Sequence, residues 1–186
     1  ANMAGGQLAR FYNLPYRTSA CSASNAADAQ AVWETQMALW GAVTGHGNLV
    51  YHAAGWGEGG LVADFEKLVI DCEMLQAMAA MLRPVGFDTA DFGFSAHDEV
   101  DPGGHFFGTA HTMERYQDAF YAPFLSDWSN HENWRDAGSK TATTRAMALW
   151  PRMLDAYTLP PLDAGRIEEM QAYIAHRKEQ IGSDTP

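Results

Sequence analysis

Lysine is scarce in this chain. Three lysines stand among 186 residues, and twelve basic residues face twenty-three acidic ones, for a formal net charge of −11. A surface built for nucleic acid or an anionic membrane needs clustered Lys and Arg to neutralise phosphates, so neither partner is expected. Cysteine is nearly absent as well. Cys21 and Cys72 form no disulfide framework and no CxxC metal motif, and both sit among apolar residues as free thiols, which fits a reducing cytoplasm. No apolar run approaches the roughly eighteen residues of a membrane span, and no charged-then-apolar signal pattern opens the sequence. Low-complexity tracts and internal repeats are missing too. With 47% apolar residues, the chain reads as one cytoplasmic globular domain over residues 1–186.

What is present is concentrated in two glycine-rich stretches. Asp101-Pro-Gly-Gly-His-Phe-Phe-Gly-Thr-Ala-His-Thr112 packs three glycines, two histidines and two phenylalanines into twelve residues. Asn48-Leu-Val-Tyr-His-Ala-Ala-Gly-Trp-Gly-Glu-Gly-Gly60 has the same character. Glycine lets the backbone take positive φ or approach a ligand, while imidazoles and rings supply polar and π contacts. Together they read as the rim of a small-molecule site.

The pattern around them alternates strand and helix. Tyr16 to Ala20 reads as a short strand. Asn25 offers a helix cap with Asp28 in the first turn, and Val32, Trp33, Met37, Trp40 and Val43 follow helical spacing up to Gly45. Asn48 to Ala54 is a short apolar run of the kind found in buried strands. Asp64 then caps a helix carrying Leu68, Val69, Cys72, Leu75, Ala79 and Leu82, stopped by Pro84. Short connections of this kind imply parallel βα units. A third short strand is expected near His97 to Val100. Helices follow over Met113 to Tyr121, from a Ser139 cap to about Tyr157 with Pro151 as a kink, and from an Asp163 cap along Ile167, Met170 and Ile174 to Gly182. The tryptophans Trp33, Trp40 and Trp150 are expected in the core. A full (β/α)8 barrel needs about 250 residues, so the reading is an α/β chain: a small domain or the last part of a barrel.

Several segments resemble the C-terminal part of the trimethylamine methyltransferase family, which passes methyl groups to corrinoid proteins. The likeness runs in order through Leu14-Pro15, Asp28-Ala-Gln30, His52-Ala-Ala-Gly-Trp56, Phe65-Glu-Lys-Leu-Val-Ile-Asp71, Gly103-Gly-His-Phe-Phe-Gly108, His111-Thr112, Trp134, Gly138-Ser139, Arg145-Ala146, Pro160-Pro-Leu-Asp163 and Arg177-Lys178. The resemblance implies the C-terminal portion of a TIM (β/α)8 barrel with additional C-terminal helices. It also implies the branch without pyrrolysine, since only standard residues occur, and known members of that branch use quaternary amines such as glycine betaine. The implied activity is methyl transfer from a methylated amine to the cobalt of a corrinoid (cobalamin) carried by a partner protein. A homo-oligomer or a complementary N-terminal barrel chain is an implied assembly. The alternatives are a non-catalytic amine-binding or assembly module and a split-barrel subunit.

Such chemistry needs a dry aromatic pocket for a cation rather than a general acid, because the leaving amine departs neutral. His52, His105 and His111 are the catalytic candidates. Tyr16, Arg17, Trp56, Glu58 and Phe107 are the substrate-binding candidates, with Arg17 suited to a carboxylate and Glu58 to balancing a cation or binding a polar group. Gly103 and Gly104 are the candidates for approach to the cofactor. Strand alternation puts Tyr51 and His52 on opposite faces, with His52 facing inward. Four histidines in two pairs six apart (His46, His52, His105, His111) lack metal-site spacing, so no metal is assigned. No nucleophile-elbow pattern supports a hydrolase.

Overall fold

A computed structural model describes residues 1–183. The chain divides into two compact units, Ala1–Arg152 and the residues from Met153 onward. No helix among the described residues is long and apolar enough to cross a membrane.

Helix α1 (Asn2–Phe11) opens the first unit. The sequence pattern assigns nothing there, because Gly5 and Gly6 weaken helix propensity. Gly6 is needed for close approach: a Cβ at this position would collide with the Gly45 carbonyl at the end of α2 (Ala29–Thr44). Asn2 ties the helix in place, accepting from the Thr18 hydroxyl at 2.7 Å and donating to the Ala38 carbonyl at 3.1 Å.

Strands β1 (Arg17–Ser19) and β2 (Leu49–Tyr51) pair in parallel, Arg17 opposite Leu49 and Ser19 opposite Tyr51. The expected strands are thus present but shorter. Asp28, not Asn25, caps α2, its carboxylate accepting from the N–H groups of Gln30 and Ala31. Helix α3 (Phe65–Met81) begins as expected at Asp64, which accepts from Lys67 N. Between β2 and α3 lies an antiparallel hairpin that the sequence pattern does not separate, β3 (Trp56–Gly57) and β4 (Val62–Ala63), joined through a 3₁₀ turn at Glu58–Gly60.

One core joins Ala20, Leu39 and Met78 with Val50, Ala53 and Met74. It covers the side of the parallel pair that carries Val50, while Arg17, Leu49 and Tyr51 of the other side are exposed. The expected tryptophan core is corrected for Trp33 and Trp40, while Trp150 packs against a core as expected. Helix α2 buries Ala31, Thr35, Leu39 and Ala42, and leaves Trp33 59% exposed with Met37 and Trp40 also exposed. The buried side of α2 is built mostly of small residues, and Thr35 on it accepts from Lys67 of α3. On α3 the inward residues include Lys67, Val69, Ile70 and Asp71, whereas Leu68 and Leu82 are exposed.

The second half is mostly helical. Helix α4 (Phe94–Asp98) replaces the strand expected at His97 to Val100, its first turn following Gly93 in the left-handed region. Helix α5 (Ala110–Arg115) starts three residues before the expected Met113, because Thr109 caps it through Thr112 N, and it ends well before Tyr121. Helix α6 (His131–Asp136) is capped by Asn130. Helix α7 (Ala142–Asp155) contains Pro151 and is led by Thr141, which accepts from Thr144 N at 3.2 Å, while Ser139 lies in a left-handed turn. A second core links α3 to α7 through Val69, Ile70, Leu125 and Ala146, and Trp150 stacks on Phe65 at 4.8 Å.

In the second unit, Asp163 accepts from Arg166 N at the start of α8 (Ala164–Ser183), as expected, and the helix runs through Gly182 rather than stopping there. Among the described residues the strands form two separate two-stranded sheets. The chain is therefore a mixed helix–strand fold, as the α/β reading expects, and its parallel β1–β2 pair is the part of the sheet that corresponds to the expected C-terminal portion of a barrel, with no closed sheet among the described residues.

Candidate functional site

The carboxyl end of β2 brings Tyr51, His52 and Trp56 into one chain of contacts, which Arg17 joins from the start of β1. Parallel pairing sets Arg17 and Tyr51 on the same exposed face, and the Arg17 guanidinium lies 4.1 Å over the Tyr51 ring. Beyond Tyr51 the strand stops, since His52 takes a left-handed φ of 54°. That turn breaks the alternation expected to separate Tyr51 from His52, and their rings instead meet edge to face at 4.7 Å. His52 also meets the Trp56 ring, at 4.9 Å. Ser19 Oγ and His52 Nδ1 share a hydrogen bond of 3.2 Å, which fixes the imidazole to the end of β1. Ser19 carries no signal in the sequence, and only the register of two short strands reveals it.

Beside Trp56 lies an apolar cleft of about 200 Å³, lined by Ala54, Gly55, Trp56, Ala63, Asp64, Phe65 and Leu68. Trp56, Phe65 and Asp64 are thus among its lining residues, and the Asp64 carboxylate is held as the cap of α3.

Next to the cleft sits a buried charge pair outside the set of sequence candidates. Lys67 is 3% exposed and Asp71 fully buried. Lys67 Nζ donates to Asp71 Oδ2 at 2.5 Å and to Thr35 Oγ1 at 2.9 Å. The same Asp71 oxygen accepts from Gly55 N at 2.8 Å, and the Gly55 carbonyl accepts from Asp64 N at 2.9 Å. Both backbone groups of Gly55 are thereby pinned next to Trp56. Gly55 has φ +78°, and a Cβ there would press on Leu68 at 3.1 Å, so glycine is required. Burial pushes the Asp71 carboxyl up from its ordinary value, opposed by the Lys67 hydrogen bond and charge and by the Gly55 N–H. The i, i+4 spacing of Lys67 and Asp71 within an apolar helical stretch is the signal that marks them in sequence.

The remaining candidates lie elsewhere. Tyr16 precedes β1, its backbone bonded to Asn48 and its hydroxyl packed over Gly5 of α1, at the opposite end of the strand from Trp56. Glu58 is exposed in the hairpin turn with φ 50°, its N–H donating to the Ser24 carbonyl. In the second glycine-rich stretch, Gly104 N donates to the Asp101 carbonyl, closing a turn with Gly103 at φ +86°. His105 meets the ring of Phe107 at 5.2 Å, and Phe107 stands 78% exposed. His111 Nε2 donates to the Ala90 carbonyl at 3.1 Å. Among the described residues, no hydrogen bond or ring contact ties His105 or His111 to the strand-end cluster. No group of three or more His, Cys, Asp or Glu gathers as metal ligands among them either.

The profile of the trimethylamine methyltransferase (MTTB) family matches residues 1–182. A glycine betaine methyltransferase of Desulfitobacterium hafniense (strain Y51) is 34% identical over 97% of this chain, which spans 38% of that relative. The trimethylamine methyltransferase MttB of Desulfitobacterium hafniense (strain DSM 10664 / DCB-2) is 26% identical, with 97% of this chain and 36% of the relative aligned. The corresponding enzyme of Methanosarcina barkeri is 29% identical over 90% of the chain and 34% of its own length. The chain thus spans little more than a third of these relatives. Aligned over almost its whole length, with the Trp56 and Gly103–Gly104 segments inside the match, it belongs to the trimethylamine methyltransferase family.

Proposed function

We propose that the chain contributes the amine-binding half of a corrinoid-dependent methyltransferase, with a quaternary amine such as glycine betaine as methyl donor. The observation that carries this reading is the Arg17–Tyr51–His52–Trp56 cluster beside an apolar, carboxylate-bearing cleft. Family membership and the name of the 34% identical relative support it.

The geometry suits a tetraalkylammonium head. The faces of Trp56 and Phe65 attract such a cation by about 0.5–2 kcal/mol each, and Asp64 adds a negative charge. Arg17, on the exposed face beside Tyr51, is placed to take the carboxylate of a betaine as a charge-assisted bond. His52, fixed by Ser19, orients the donor between the two groups. A cation that leaves as a neutral tertiary amine asks for no proton, so these side chains bind, align and exclude water. A corrinoid carried by the partner protein would supply the nucleophile as reduced cobalt. The exposed side of the β1–β2 pair leaves room for that approach, and the solvent-facing loop of Gly103, Gly104, His105 and Phe107, with His111, is assigned to contact with the corrinoid partner.

A second reading is favoured by the exposure of Arg17, Leu49 and Tyr51. Parallel sheets are as a rule covered on both faces, so a complementary polypeptide, or the remaining units of a TIM barrel, would complete the site. The test is direct. Glycine betaine is titrated against the chain while tryptophan fluorescence is followed, and methylation of added Co(I) corrinoid is then assayed. Saturable quenching that disappears in Trp56→Ala, together with methyl transfer, supports the proposal. Quenching without transfer favours an amine-binding module. No binding by a chain that elutes as a folded monomer overturns the assignment.

A further inference from the structure

Acidic residues outnumber basic ones almost two to one, yet three cations converge on a single cleft far along the chain. Lys140, Arg145 and Arg152 line a cavity of about 320 Å³ together with Phe124, Trp134 and Leu149. None of the three belongs to an ion pair among the described residues, where the pairs are Lys67–Asp71, Glu114–Arg115 and Arg135–Asp136. One carboxylate, Asp127, also lines the cleft, but it is turned to its own loop: Oδ1 accepts from Ser129 N at 2.9 Å and Ser129 Oγ at 2.6 Å. Those two bonds hold its carboxyl below the ordinary value, and the charge of Arg145 adds only a smaller pull.

The two guanidinium groups are held by backbone carbonyls. Arg145 Nε donates to the Leu125 carbonyl at 2.8 Å and Nη1 to the Lys140 carbonyl at 2.6 Å. Trp134 Nε1 donates to the same Lys140 carbonyl at 3.0 Å, locking the ring beside the guanidinium. Arg152 Nε is bonded to the Ala148 carbonyl at 3.2 Å. Behind them, the buried Glu73 carboxylate accepts from the N–H groups of Phe124 and Leu125 and so sets the cleft's other wall. The Lys140 ammonium and the terminal nitrogens of Arg152 keep their donors for something else. Guanidinium groups match the paired oxygens of phosphates and carboxylates, and indole and phenyl faces match a flat ring.

We propose that this cleft is a binding site for a small organic oxyanion, a phosphate or carboxylate on a flat or apolar body, held by Lys140, Arg145 and Arg152 with the body against Trp134 and Phe124. Its volume is at the small end of the roughly 300–1,000 Å³ of ligand pockets, which suits a single-ring molecule rather than a stretch of polymer. It shares no lining residue with the Trp56 cleft and stands whether or not that cleft binds an amine.

Phenyl phosphate is the probe, with inorganic phosphate as its ring-free control, and binding to the full chain is read by calorimetry and by the indole N–H resonance of Trp134. The expected result is saturable binding that shifts that resonance, with phenyl phosphate preferred by about two- to tenfold. Arg152→Gln and Lys140→Gln, both at exposed positions, each weaken binding by about three- to tenfold with an unchanged melting temperature. Absence of saturable binding, or binding that both variants leave intact, overturns the proposal. Equal affinity for the two probes overturns the part assigned to Trp134 and Phe124.

Discussion

At the carboxyl end of β1 and β2, His52 is fixed by Ser19 and wedged between two rings, near a buried charge pair that pins the adjoining backbone. In the loop around Gly103 and Gly104, His105 touches the exposed Phe107, and the segment is held by a tight turn, the Thr109 cap, the His97–Phe106 ring contact and the His111–Ala90 hydrogen bond. Similar residue types occur in both stretches. The first is tied across β1 and β2 by Ser19 and to α3 by Asp71, while the partners of the second lie between Ala90 and Thr112 and most of its residues are exposed. Glycine, histidine and aromatic content therefore marks a candidate site without saying how firmly it is held.

Removing the charge pair is the most severe way to break this contrast. Asp71→Ala leaves Lys67 buried without its partner, and a loss of about 3–5 kcal/mol is expected in urea unfolding. Replacing both residues by apolar ones of similar size, Lys67→Met with Asp71→Leu, is expected to recover much of that loss while leaving Gly55 N without its acceptor. Next in size, Gly55→Ala forces a side chain into the left-handed region against Leu68 and should cost about 1–2 kcal/mol, with weakened amine binding at Trp56. In the other region, Thr109→Ala removes the cap of α5 for about 1 kcal/mol. Hydrogen exchange should then rise around α5 and leave β1 and β2 protected. A comparable rise in the strands would erase the distinction drawn between the two regions.

The smallest effect concerns pH. Glu34 accepts from the side chains of Gln30 and Ser22 and from the N–H groups of Ala23 and Ser24, which hold its carboxyl below the ordinary 4.5. A depressed folded-state value means the stabilisation is present above the unfolded value and lost as pH falls through the folded one. The stability gap between the natural chain and Glu34→Gln should thus be full at neutral pH and close on acidification below 4.5. A gap independent of pH would show that the loop does not depend on the ionised carboxylate.

Much of the first half, and the start of the last helix, was legible in sequence. The alternation of strands and helices, the caps at Asp64 and Asp163 and the nearness of Trp56 to His52 follow from local pattern. Helix α1 was not legible, because its two glycines argue against a helix and the reason for Gly6 lies at Gly45, thirty-nine positions away. The inward side of α2 was misjudged since large apolar residues at helical spacing outweigh the small ones that close packing selects. Ser19 reaches His52 through the β1–β2 register and Asp71 reaches Gly55, sixteen positions away; local pattern carries neither partnership, although the i, i+4 spacing pairs Asp71 with Lys67.

The left-handed backbone of His52 has a consequence for variation at that position. Asparagine, aspartate and glycine tolerate such a conformation, whereas valine or isoleucine strain it. An asparagine there would preserve the bend while deleting the imidazole, separating the shape of the strand terminus from its chemistry in a single replacement.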